Sequence, residues 1–221
     1  MKTFLTVIII LFLALQVQAN DREPEIQKLW QQINNDRLRY EAVRNRMIKF
    51  MFTVSELTYE DEATLVMRIK TAQKNVMSKG VKELAEQRSI MVQLHADTRR
   101  LDIYQLTDGI LGVAKGDWEI TCKLTALAWQ ETHFVNRKGR DGEIGFFQFL
   151  PSTIQEVLKL SDKDLKTVVI ELDNNQYKAA SFAWLLLKGV DIKQGIAAYN
   201  HGAQYPGVYF RKLEKVRTEL L

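Results

Sequence analysis

Between Ile26 and Val54 apolar residues return every three or four positions: Ile26, Leu29, Trp30 and Ile33, then Tyr40, Val43, Met47, Phe50 and Val54. A period near 3.6 held over that length commits the segment to one long amphipathic helix, since a strand would alternate in steps of two. The rest of the chain has little to break helices, with 11 Gly and 3 Pro in 221 residues. Thr58-Tyr59-Glu60-Asp61 has the pattern of a capping box, after which Leu65, Ile69, Ala72 and Val76 carry the helical period to Gly80. A third stripe, Leu84, Met91, Leu94 and Leu101, runs among many charges toward Gly109, Gly112 and Gly116. The expected class is all-α, with at most a minimal β-hairpin.

The glycines between 109 and 116 mark the expected domain boundary, dividing a region of helical hairpins over 20–112 from a unit over 113–221 that is richer in aromatics and loops. Asp117 is placed to cap a helix through Trp118, Ile120, Leu124, Leu127 and Ala128. A loop with Gly139, Gly142 and Gly145 comes next. Helices are then expected from Pro151, from about Asn174 to Lys188, near Ile192 to Ala198, and after Gly207.

Residues 1–19 have the form of a cleavable signal peptide: Lys2, an apolar run from Phe4 to Leu15, then Val17-Gln18-Ala19 with small residues at the cleavage positions. The run is shorter than the roughly 18 to 20 residues that span a bilayer. The expected product is exported, periplasmic or extracellular. Cys122 is the single cysteine, so no intrachain disulfide can form, and no Cys/His spacing suggests zinc. No metal or cofactor is expected. With 31 basic and 27 acidic residues the net charge is +4 and dispersed, which gives no reason to expect nucleic acid as a partner.

One carboxylate stands where the core should be. Ile120, Leu124, Leu127 and Glu131 follow one another at steps of four, three and four, on one face of a helix. Burial disfavours the charged form, so a carboxyl there has a raised pKa and can carry a proton near neutrality, as a general acid must.

Around it lie three blocks, Glu131-Thr132-His133-Phe134, Gly142-Glu143-Ile144-Gly145-Phe146-Phe147-Gln148-Phe149-Leu150-Pro151-Ser152-Thr153 and Ala198-Tyr199-Asn200-His201-Gly202. In order and spacing they resemble the signature blocks of the soluble lytic transglycosylase family, over about residues 115 to 215. The resemblance implies a lysozyme-like α fold that cuts peptidoglycan glycan strands between N-acetylmuramic acid and N-acetylglucosamine. Glu131 falls on the family's single catalytic acid, which protonates the glycosidic oxygen and then acts as base. Most glycosidases need two carboxyl groups, but substrate-assisted enzymes do not. The muramic acetamido group and 6-hydroxyl replace the second acid, giving a 1,6-anhydro product.

By the same resemblance Gln148 lines the cleft and hydrogen-bonds the sugar, Tyr199 orients the acid, and Asn200 contacts substrate. Among Phe146, Phe147 and Phe149, one or two pack the core while another, with Phe147 the candidate, stacks on a sugar ring. Thr132 stands where the family usually has serine, keeping a hydroxyl for the acetamido group. Asp141 and Glu143 replace small residues and could hold a water, as acids do in the similar loop of goose-type lysozymes. That gives a second reading, a hydrolytic muramidase. A third is a non-catalytic glycan-binding component of an envelope assembly. His133 and His201 are expected at the cleft rim or in structural roles, and His95 on the surface. The helical N-terminal region is suited to docking on a secretion or conjugation complex, although nothing in its sequence specifies one.

Overall fold

The computed structural model describes the backbone of residues 2–79, 84–188 and 206–220, and the side chains of residues 27–77, 84–188 and 208–220. The signal segment 1–19 therefore lies outside the residues whose side chains are described, and the expected helix near Ile192 to Ala198 lies outside the described residues. Among the described residues every regular element is helical: α1 Lys2–Val54, α2 Glu62–Lys79, α3 Leu84–Ala114, α4 Trp118–Thr132, α5 Pro151–Leu158, α6 Asp162–Asn174, α7 Gln176–Lys188 and α8 Pro206–Leu220. An isolated antiparallel bridge, Ile144 with Phe149, is the whole of the expected hairpin among the described residues. The chain is all-α.

Two compact units are formed, Met1–Val43 and Arg44–Leu221. The first holds the leading part of α1, where Leu29, Trp30 and Ile33 of the apolar stripe are exposed. In the second the stripe changes character: Met47, Phe50 and Met51 are buried, together with Leu65, Ile103, Leu106 and Ile110. The glycines at 109–116 thus lie inside a packed unit, and the unit begins at Arg44 rather than after them.

The reason is steric. Gly109 and Gly112 do not interrupt α3, which runs on to Ala114. A Cβ at Gly109 would stand 2.6 Å from the Gln176 carbonyl carbon and oxygen and 2.9 Å from the Tyr177 nitrogen, while one at Gly112 would stand 3.0 Å from the Tyr177 ring. These glycines let the backbone of α3 touch α7, a use of glycine that outweighs its cost of about 1 kcal/mol in a helix interior. The true stop comes at Lys115 and Gly116, both at positive φ, before Asp117 caps α4 by accepting the Ile120 N–H at 3.0 Å.

Two arginines tie the first three helices together. Arg44 donates to both carboxylate oxygens of Asp108, at 2.6 and 2.9 Å, and to Glu62 at 2.9 Å. Asp97 is only 2 % exposed and accepts from Arg68 at 2.8 Å, Gln93 at 2.8 Å and Arg100 at 3.4 Å, which balances its burial. The α2 cap is Asp61, which accepts the Thr64 N–H at 2.9 Å, and not Thr58 as the capping-box pattern suggested. Thr58 instead lends its carbonyl to Arg100. Helix α6 was not anticipated; Ser161 caps it and separates it from α5. Cys122 is fully buried and its thiol is pushed up to about 12 by that burial. His95 is exposed.

The contact between α3 and α7 generates two expectations. Gly109→Ala should destabilise the protein by roughly 1–3 kcal/mol in urea unfolding, because neither backbone can retreat without disturbing the core. A chain starting at residue 113 loses Ile103, Leu106 and Ile110 from beneath α7 and is expected to be unfolded or insoluble, by circular dichroism and sedimentation.

Candidate active site

Glu131 sits in the last turn of α4. Leu124 and Leu127 on the same stripe are wholly buried, and Glu131 continues that face half-buried. Its Oε1 is buried without a hydrogen-bond partner among the described residues. Burial pushes the carboxyl from its ordinary 4.5 up to about 7; Lys212 and Arg137 pull it down, and Glu143 pushes it further up. Desolvation is the largest effect and outweighs the pull of the two cations.

The end of α4 is held in place from both sides. His133 and Phe134 take left-handed backbone conformations, φ 55° and 62°, and the His133 N–H closes the helix on Trp129 O at 3.1 Å. Phe134 is 2 % exposed and meets Phe50 edge-on at 6.1 Å, which fixes the turn that a glycine would ordinarily make. The Ser55 hydroxyl donates to His133 O at 3.1 Å. Lys212 on α8 donates to Trp129 O at 3.2 Å and lies 5.1 Å from the centre of the Trp129 ring. Partial burial, Lys212 and Arg137 together lower the His133 pKa.

Thr132 and Phe147 require correction. Thr132 is 2 % exposed, and its one hydroxyl proton lies between Ala128 O at 3.1 Å and Phe146 O at 3.0 Å. The hydroxyl fastens α4 to the 144–149 bridge and is not presented to a ligand. Phe147 is fully buried, stacked on Phe149 at 5.7 Å, and Phe149 meets Phe182 edge-on at 4.9 Å. No face of that ring is open to a sugar. Phe146 is equally buried, so all three phenylalanines serve the core.

Gln148 is half-buried at positive φ, and its amide nitrogen donates to Arg137 O at 3.0 Å and Gly145 O at 2.8 Å. Both amide protons therefore close the loop. Arg137 in turn donates to Glu131 O at 3.2 Å, so Gln148, Arg137 and Glu131 form one connected set. Of the loop acids, Glu143 is half-buried, raises the Glu131 pKa through its charge, and accepts the Asp141 N–H at 2.8 Å. Asp141 is exposed. Tyr199, Asn200 and His201 lie outside the described residues.

Sequence reasoning missed Lys212 and Arg137. Lys212 is adjacent to the buried stripe Tyr209, Leu213, Val216 and Leu220, so its position on α8 was a usable signal. Arg137 carried none, since its role depends on how the loop folds back. Among the described residues no group of three His, Cys, Asp or Glu side chains could hold a metal ion. Comparison with protein-family models, with curated proteins and with solved structures finds no match to this chain.

The buried acid makes a pH-dependent contribution to stability. Its folded pKa, about 7, exceeds its ordinary 4.5, so the neutral form favours folding and the charge opposes it. Stability from this group is full below about pH 4.5 and is lost as pH rises through about 7. Glu131→Gln should therefore raise the melting temperature at about pH 9, by an amount worth up to about 3 kcal/mol, and change it little at about pH 5. Calorimetry at the two pH values checks the sign.

Proposed function

We propose that the chain is an exported peptidoglycan-cleaving enzyme in which Glu131 protonates the glycosidic oxygen, the reaction being that of a lytic transglycosylase. One observation carries the reading: a half-buried carboxyl at a helix end, without a hydrogen bond to Oε1 among the described residues, with a pKa of about 7. An acid so placed is about half protonated at neutral pH, the condition under which one group can give a proton and then take one back. The resemblance of the three sequence blocks supplies the substrate, and with it the lysozyme-like character of the site. Tyr199 and Asn200 would complete the site as orienting and substrate-binding groups.

Glu143 favours a second reading. It is an acid whose charge reaches Glu131, and it could hold a water for hydrolysis. Against that, its carboxylate already accepts the Asp141 N–H and braces its own turn. A 6-hydroxyl tethered to the substrate also has the advantage of high effective concentration over any water.

Digestion of purified sacculi decides both points. Glu131→Gln should abolish release of soluble fragments while the helical circular-dichroism signal persists. Activity retained by that variant overturns the assignment. With the unaltered chain, mass spectrometry should find muropeptides lighter by one water than hydrolysed ones. Reducing-end products make it a muramidase, and Glu143→Gln should then lower hydrolysis selectively. The alkaline limb of the activity profile should fall near pH 7, where Glu131 loses its proton.

A further inference from the structure

A groove of about 270 Å³ lies between α1 and α8, lined by Arg46, Lys49, Phe50, Thr53, Val54, Lys215 and Glu219. Three of these seven carry positive charge and one carries negative, in a molecule whose basic and acidic residues number 31 and 27. Lys49 and Lys215 bring two like charges to one concavity, a field that favours an anion there. Neither Lys49 nor Lys215 makes an ion pair among the described residues, although many other basic side chains of the unit do. The acid present, Glu219, is exposed.

Phe50 is the buried wall of the groove, while Arg46, Lys49 and Lys215 on its rim are exposed. Arg46 is anchored by donating to Leu220 O at 3.0 Å. Lys215 lies 5.5 Å from the centre of the Trp129 ring, and the buried Phe50 ring meets Trp129 edge-on at 5.4 Å. The floor is thus apolar and the rim cationic, which matches a short peptide carrying free carboxylates on a small aliphatic backbone. Trp129 is also the link to Glu131, two positions later on α4.

The geometry points to this groove as a binding site for the carboxylate-bearing peptide stems of the glycan, with Lys49 and Lys215 meeting the carboxylates and Phe50 and Val54 the aliphatic portions. The inference rests on the reading of Glu131 as a glycan-cleaving acid, and gives that site a preference for strands that still carry their peptides.

The test uses the full chain and two probes. A soluble stem peptide with free α-carboxylates is titrated by calorimetry, and KM is compared for peptide-bearing strands and for strands stripped of peptides by an amidase. Lys49→Glu should weaken peptide binding about tenfold, and should raise KM for peptide-bearing strands about tenfold more than for stripped strands. Lys49→Arg should keep the affinity, and Glu219→Gln should strengthen it by removing the one negative charge on the rim. The last variant gains a function, so misfolding cannot imitate it. Peptide affinity that is absent, or indifferent to both charge changes, overturns the groove. If peptide binding shows this charge dependence while no strand is cut, the groove stands and the glycan-cleavage reading falls. If strands are cut with a KM ratio that Lys49→Glu does not move, the groove falls alone.

Discussion

The backbone contact between α3 and α7 at Gly109 is the constraint from which the geometry of the site follows. Because no Cβ intervenes, α7 seats directly on α3 and brings Phe182 against Phe149. Phe149 is bonded to Ile144 across the bridge and stacked on Phe147, so the loop after α4 is gripped by the core and not by solvent. From that loop the Phe146 carbonyl accepts the Thr132 hydroxyl, and the turn carrying Glu131 is fixed. A chain of contacts therefore runs from a glycine in the N-terminal helices to the carboxyl. It explains why α2, α3 and the part of α1 from Arg44 onward share one compact unit with the site.

Periodicity located most of the helices because apolar spacing is a local signal, although it missed α6 and misplaced the cap of α2. α4 buries the stripe expected of it and α1 does so from Met47 onward, while Leu84 and Met91 of the α3 stripe are exposed and the buried face of α3 runs instead through Ile103, Leu106 and Ile110; Asp117 caps where expected. What spacing could not convey was the purpose of a glycine. Gly109 and Gly112 look like punctuation in one dimension, and only the neighbouring helix shows that they are contact points. Phe147 failed for a related reason: an aromatic in a loop block has the same letter whether it faces a sugar or Phe149. Thr132 likewise kept its hydroxyl but spent it on a carbonyl across the turn. Glu131 was legible because a carboxylate on an apolar stripe contradicts its surroundings, and such contradictions gather where a protein does chemistry.

The non-glycine residues at positive φ extend the same point. Glu56, Lys115, His133, Phe134, Gln148 and Lys159 all end helices or bend loops in a conformation that glycine adopts more cheaply. Phe134 is the strongest case, because a phenylalanine gains no local hydrogen bond in that region. Its ring is held by Phe50 of α1, so burial of the aromatic offsets the local backbone cost. A glycine there would relax the turn, but it would leave the base of the site without its packing against α1.

The charges around Glu131 have to satisfy opposed demands. On the reading proposed above, in which Glu131 gives a proton, it must not be ionised beforehand, so a close ion pair would defeat it by holding the carboxylate in its charged form. A carboxyl with no cation nearby would be equally unsuitable, since after giving its proton the anion would stand uncompensated in a partly buried place. Lys212 and Arg137 meet both demands by binding elsewhere. Lys212 donates to the Trp129 carbonyl and Arg137 to the Glu131 carbonyl, so each is placed by the backbone while its field still reaches the carboxylate. Each cation is held one step removed, and the attraction it exerts offsets only part of the desolvation. The pKa accordingly settles near 7, above that of a paired glutamate. Lys212 is itself lowered by its burial while Glu131 raises it, as expected for two groups sharing one poorly hydrated corner of the fold.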